Sequence, residues 1–387
     1  MKPLSPRVLD LPRSGIRGVM DIAEKLGDVI HMEVGEPHFQ PPAHILEAAN
    51  EAARAGFNKY TPNAGLPVVR EVLADKLRKE NGISATADSV VMTPGGVFAT
   101  ACSVLTIADP GDEVLLPEPG WPNHGNQLTL FGVKPVYYPL HPATGFLPEF
   151  DELEMLTGPR TKAILVNSPS NPTGAVFPKE TLACMLAFAQ KHDLYVITDE
   201  VYEKIIYEGK QHSLAAWDED GRVISCFSFS KTYAMTGWRI GFVTASQELC
   251  RNFGKLQETM VSCVSSLSQK GAEAAVTGSQ EFVRIMVETY RRNRDVACSL
   301  FTEAGVSIVE PHGTFYLLVD ISHAGLDSYS FMKRLMEEKR VAVAPGLTFG
   351  HRCDRYIRIS FCKERDSVVE GVRRIIDFLA RQSSLQD

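Results

Sequence analysis

Residues 228–241 read SFSKTYAMTGWRIG, with one lysine, Lys231, set among hydroxyl side chains and Arg239 eight residues further on. A lysine amine can bond covalently to a carbonyl, while a serine such as Ser228 and an arginine fork can hold a phosphate. The string SKT invites comparison with the tail of a nucleotide-phosphate loop. That loop requires glycine immediately before the lysine, where Ser230 stands, so it is rejected.

Three further places carry residues of the same kind. Gly95 and Gly96 follow the apolar run SVVMT and precede an apolar helical stretch, where glycines let backbone N–H groups approach an anion at a helix N-terminus. A tight turn without a ligand reads the same way. Asn171, in SPSNPTG (168–174), offers a carboxamide that can donate a directed hydrogen bond, although NPTG alone is a common turn. Asp199 closes the run LYVITD, where a carboxylate must be paired or exposed, helix capping being its plainer role.

The elements that must position these residues are short apolar runs. SVVMT (89–93), EVLLP (113–117), KAILVN (162–167), LYVITD (194–199), VISCFS (223–228) and IGFVTA (240–245) predict buried strands. Helical patterns such as KETLACMLAFAQKHD (179–193) lie between several of them. Together they predict an α/β fold: a large domain with a mostly parallel central sheet flanked by helices. From about residue 247 amphipathic helices take over, followed by a smaller α+β unit with strands in FYLLVDI (315–321), VAVAPG (341–346) and YIRISF (356–361). The expected division is residues 1–44, a segment packing on the small domain; 45–280, the large domain; and 281–387, the small one. In such sheets ligands collect beyond the carboxyl ends of the strands, where the four stretches above fall.

Composition narrows the partners. The 387 residues are 44% apolar and 22% charged, and the net charge is -7, which gives no basic field for nucleic acid or an anionic membrane. The eight cysteines form no C-x-x-C pair and read as reduced thiols, without a metal site. The opening residues lack the apolar run of a secretory signal and no stretch is long enough for a membrane span, so a cytoplasmic location is expected.

An aldehyde, a phosphate and a ring nitrogen in need of an acidic partner describe pyridoxal phosphate, whose sites pair a lysine with an aspartate. NPTG, TDEVYE and SFSKTYAMTGWRIG occur in order, with VGEPHFQPP (34–42), NKYTP (58–62), TPGG, PHGTFY (311–316), APGLTFG (344–350) and RYIRISF around them. By these motifs the chain resembles the class I/II aminotransferases of the fold type I pyridoxal-phosphate superfamily, from about residue 13 to its end. The resemblance implies that Lys231 bonds to the coenzyme aldehyde and that Asp199, supported by His124, meets the ring nitrogen. Tyr202 and Asn171 would donate to the ring's phenolic oxygen, and Trp121 would stack on the ring. Gly95, Gly96, Val97, Ser228, Ser230 and Arg239 would cradle the phosphate, joined by Tyr60 from the partner subunit of a homodimer. Arg358 would grip the substrate α-carboxylate, with Gly35 and Asn171 beside it.

The implied activity is transfer of an α-amino group from an L-amino acid to 2-oxoglutarate by a ping-pong route. Some prokaryotic aspartate aminotransferases carry a lysine directly after the double glycine; Val97 stands there instead, which favours a broad donor range. Arg13 or Arg17 offers a cation for an acidic side chain, or is solvated surface. Lyases and synthases share the scaffold, and an aminotransferase-like sensor domain is a remote alternative.

Overall fold

The computed structural model describes residues 2–9, 11–12 and 15–383; Arg13 lies outside them. Twelve strands occur among these residues: β1 (Ile30–His31), β2 (Val90–Thr93), β3 (Glu113–Glu118), β4 (Lys134–Pro139), β5 (Thr161–Asn167), β6 (Tyr195–Asp199), β7 (Val223–Ser228), β8 (Gly241–Thr244), β9 (Tyr316–Asp320), β10 (Val341–Ala342), β11 (Ala344–Pro345) and β12 (Tyr356–Ser360). Seven of them form one sheet in the order β2-β8-β7-β6-β5-β3-β4. Only β8 runs opposite to the other six strands of that sheet.

Both faces of this sheet are covered, which is why its strands read as continuous apolar runs. Along β5, Ala163 and Leu165 enter one core with Ile197, Ile224 and Cys226, while Ile164 and Val166 enter the opposite core with Leu115 and Val196. The first core is closed by helices Gly96–Ile107 and Gln247–Val261, through residues such as Ala99, Cys102 and Phe253. Helix Lys179–Lys191 closes the second with Leu182, Met185 and Ala189.

Strand β4 is absent from the expectations above. Its sequence KPVYYP is bounded by proline and its burial is patchy, and both features are tolerated because it pairs only with β3 at the sheet edge. The turn from β7 back into β8 holds the short helix Phe229–Thr232 and the 3-10 turn Thr236–Trp238 instead of a crossover helix, so β8 returns antiparallel.

A second sheet, β11-β12-β9, is antiparallel, and VAVAPG is broken at Val343 into β10 and β11. Strand β10 pairs in parallel with β1, aligning Ile30 with Val341 and His31 with Ala342, so the N-terminal segment is stitched to the C-terminal unit. A core containing Val19, Ala23, Met32, Phe301, Phe315, Phe331, Ile357 and Phe378 joins them. No helix among the described residues is long and apolar enough to cross a membrane.

Candidate active site

The carboxyl ends of β5 and β6 place Asn167 and Asp199 side by side, and Ser228 ends β7 two residues past Cys226, the partner of Asp199. Above them opens a cavity of about 550 Å³. Its wall brings together Gly35, Gly96, Val97, Trp121, Asn171, Asp199, Tyr202, Ser228, Ser230, Lys231, Arg239 and Arg358 from among the sequence candidates. Three described candidates stand outside the wall: Gly95, next to Gly96 in the chain; His124, buried against Asp199; and Tyr60, which is 89% exposed.

Lys231 sits in helix Phe229–Thr232, capped by Ser228, whose Oγ accepts from the Ser230 N–H at 3.1 Å. Its Nζ donates to the Gly35 carbonyl at 2.6 Å. Burial pulls the Lys231 pKa down from 10.5 to about 8; Cys362 and Glu36 oppose the shift, and Arg358 and Arg239 add to it. An amine in that range is available as nucleophile and base at mild pH.

Asp199 is buried, and its Oδ2 lies 3.1 Å from His124 Nε2 while Oδ1 accepts from the Val201 N–H at 3.3 Å. The buried Nδ1 of His124 has no hydrogen-bond partner, which suits a ring whose proton sits on Nε2 facing the carboxylate. Trp121 packs edge-on against His124, with ring centroids 5.0 Å apart, and so fixes the imidazole plane. Asn167 donates from Nδ2 to the Asp199 carbonyl at 3.0 Å and accepts the Asn171 N–H at 2.9 Å, tying the two loops together.

Arg358 is among the largest fully buried side chains of the described residues. It donates to Asn171 Oδ1 at 3.0 Å and to the Glu33 carbonyl, and its guanidinium lies 4.1 Å from the Tyr316 ring centroid and 4.8 Å from that of Phe349. Its Nε is buried without a partner. Burial lowers its pKa, but an arginine remains charged, so a cation is held here in apolar surroundings where an anionic ligand would offset its lost hydration. Because Asn171 accepts through Oδ1, its Nδ2 is the end left to donate.

Gly95 and Arg239 lie against each other where helix Gly96–Ile107 begins. Gly95 has φ 88°, and a Cβ there would lie 2.5 Å from Arg239 Nη2, so glycine is required both by the backbone and by the guanidinium. Arg239 itself has φ 51°, a left-handed conformation that costs a non-glycine residue roughly 1–2 kcal/mol. Its Nη1 donates to the Thr236 carbonyl at 2.8 Å.

Sequence reasoning missed several neighbours. Tyr316, quoted only within PHGTFY, shares a hydrogen bond with the Tyr202 hydroxyl at 3.0 Å; burial, with Tyr316 next to it, raises the Tyr202 pKa well above the ordinary phenol. Glu200, directly after Asp199, faces away from the cavity and takes bonds from Ser213 Oγ at 2.6 Å, Thr198 Oγ1 at 2.9 Å and Gln211 Nε2 at 3.3 Å. Burial raises its pKa to about 7. Alternation along the chain predicts that facing, but two of the three polar partners, Gln211 and Ser213, come from the segment beyond the strand. Ile16 and Met20 also line the cavity without having drawn notice in the sequence.

Comparison with known proteins gives the family. Residues 27–375 match the family profile described as aminotransferase class I and II. An aspartate aminotransferase of Pyrococcus horikoshii is 35% identical over 96% of both chains. An aromatic-amino-acid aminotransferase of Thermococcus litoralis is 35% identical over 96% of this chain and 97% of its own. The solved structure of the Thermus thermophilus aspartate aminotransferase with maleate superposes with a TM-score of 0.94, at 35% identity, over 98% of this chain and all of that one.

Proposed function

This chain belongs to the class I and II aminotransferase family, and from that premise we propose that it moves the α-amino group of several L-amino acids to 2-oxoglutarate by a ping-pong route. The family depends on pyridoxal phosphate, and the residues of the cavity fit that coenzyme. Lys231 supplies an amine of lowered pKa, Asp199 a buried carboxylate for a protonated ring nitrogen, and Tyr202 and Asn171 donors for the phenolic oxygen. Trp121 offers a ring to stack on it, and Gly95, Gly96, Val97, Ser228, Ser230 and Arg239 form a cradle for its phosphate.

When bound, the coenzyme supplies an electron-withdrawing ring that stabilises negative charge at the substrate α-carbon. The protein's own residues do the rest. Arg358 binds the substrate carboxylate and orients the α-proton towards Lys231, and Asn171 holds the guanidinium in place. Lys231 Nζ takes that proton as base, carries it as an ammonium, and gives it back as acid. Asp199, held by His124, keeps its partner nitrogen protonated.

The observation that carries this reading is the meeting of Lys231, Asp199 and Arg358 in one cavity, from segments up to more than a hundred residues apart. Broad donor use is supported by the apolar Val97 and by relatives named for aspartate and for aromatic amino acids. A homodimer in which Tyr60 reaches the partner's phosphate is part of the proposal; the support is a large aromatic left 89% exposed outside its own cavity. The division at residues 44/45 and 280/281 belongs to it too.

A panel of a dozen amino acids with 2-oxoglutarate tests the reading. Several donors should turn over, with parallel lines in double-reciprocal plots. Turnover of aspartate alone would overturn the breadth, and intersecting lines would overturn the ping-pong route.

A further inference from the structure

Tyr316 touches residues proposed for the coenzyme and residues proposed for the substrate, yet it has no part in the reaction so far. It opens β9, and the antiparallel register sets it opposite Ser360 of β12, which puts it diagonal to Arg358 on one face of the sheet. Thr314 Oγ1 accepts its backbone N–H at 3.2 Å, and the residue is 3% exposed.

Three contacts radiate from this side chain. The Arg358 guanidinium lies 4.1 Å from its ring centroid, where the face of the ring attracts the cation. Its hydroxyl is 3.0 Å from the Tyr202 hydroxyl, with the two rings edge-on at 79°. The same hydroxyl packs against Gly35, where a Cβ would fall 1.7 Å from it, and the Gly35 carbonyl accepts from Lys231.

A phenol carries one hydrogen, and in the bond between Tyr202 and Tyr316 either oxygen can donate. Once Tyr202 gives its hydrogen to the coenzyme's phenolic oxygen, its own oxygen can only accept, so Tyr316 is the donor. An oxygen that accepts a hydrogen bond gives its own hydrogen more strongly. We propose that Tyr316 is a positioning residue with two duties: its hydroxyl donates to Tyr202 and strengthens the bond from Tyr202 to the phenolic oxygen, and its ring sets the plane in which Arg358 meets the substrate carboxylate. A stronger bond to that oxygen favours its deprotonated form, which lowers the pH at which the bound coenzyme gives up a proton and changes its visible absorbance. Arg358, Asp199 and Cys362 also act electrostatically on the pair, and Tyr316→Phe leaves all three in place.

The inference rests on Tyr202 as donor to the phenolic oxygen, and its test keeps the two apart. Resting holoenzyme of the wild type, Tyr202→Phe, Tyr316→Phe and the double variant is titrated by visible absorbance, and KM for the fastest amino donor is measured for the wild type, Tyr316→Phe and Tyr316→Leu. Tyr316→Phe, which keeps the ring and its packing, should raise the absorbance midpoint by about half to one pH unit and hold KM within about twofold. Tyr202→Phe should raise the midpoint further, and the double variant should go no higher than Tyr202→Phe, because Tyr316 acts through Tyr202. Tyr316→Leu, which removes the ring as well, should raise KM about tenfold. A midpoint that moves in Tyr202→Phe and not in Tyr316→Phe, or a double variant that adds both shifts, overturns the duty of the hydroxyl while Tyr202 keeps its role. An unchanged KM in Tyr316→Leu overturns the duty of the ring. A midpoint unmoved in Tyr202→Phe overturns the reading of Tyr202, and this inference with it.

Discussion

The half of the cavity proposed to hold the coenzyme and the half proposed to meet the substrate are built by different rules. Asp199, Ser228 and the Gly95–Gly96 pair stand at or just beyond the ends of strands in one sheet, so strand pairing alone sets their spacing. Arg358, Tyr316 and Gly35 come instead from the second sheet and the N-terminal segment. They meet the first half only through long-range contacts, such as Arg358 to Asn171 and Lys231 to Gly35, across 187 and 196 residues. On this proposal the chemistry sits at the strand ends of one sheet, and substrate choice sits on a seam where the second sheet and the N-terminal segment meet it.

Lys231→Ala is the largest blow to the first half. It removes both the covalent attachment point and the base, so kcat should fall by at least ~1000-fold. Borohydride reduction followed by mass spectrometry should fix coenzyme on the wild type and none on the variant. Coenzyme still fixed on Lys231→Ala would show that another residue carries it.

Arg358→Ala is the corresponding blow to the second half. The expected cost is about 2–5 kcal/mol, or roughly 30-fold to a few thousand-fold in kcat/KM, because a desolvated charged contact is lost. Coenzyme affinity should hardly move, which sharpens the separation of the halves. Unchanged kcat/KM for amino donors would remove Arg358 from the site.

Gly35→Ala probes the seam itself. A Cβ there would lie 1.7 Å from the Tyr316 hydroxyl, so the ring beneath the Arg358 guanidinium has to shift. Overpacking of this kind costs about 1–3 kcal/mol, and the loss should appear as a raised KM for donors. A loss of coenzyme retention in its place would break the comparison, since Gly35 also accepts from Lys231.

The same contrast governs what could be read in the sequence. Each buried strand of the large sheet announces itself as an apolar run, and Asp199 and Ser228 are legible because strand ends are where open sheets bind ligands. The edge strand Lys134–Pro139 escaped because half exposure and proline erase that signal. Arg358 was named only through its motif: nothing local in YIRISF says that its guanidinium will be buried between Tyr316 and Phe349. Helix Gly15–Leu26 carries only Val19 and Ala23 into the core, while its Ile16 and Met20 face the cavity, so no single apolar stripe marks its role.

The smallest expected effect concerns protonation in the first half. Burial is the main reason that the Lys231 ammonium gives up its proton near pH 8, well below the ordinary lysine, and Arg358 and Arg239 push the same way. The neutral amine is the nucleophile, and its share rises with pH: with a pKa of about 8, it grows from about a tenth at pH 7 to a half at pH 8. The rate of covalent coenzyme uptake by coenzyme-free protein should therefore rise about fivefold over that unit and level off above about pH 9. Removing the Arg358 charge should move the inflection upward, because one of the two cations that disfavour the ammonium is then gone. Stopped-flow absorbance across roughly pH 6–10 measures both. An inflection that stays in place in Arg358→Ala would mean that Arg358 exerts no electrostatic hold on the Lys231 amine.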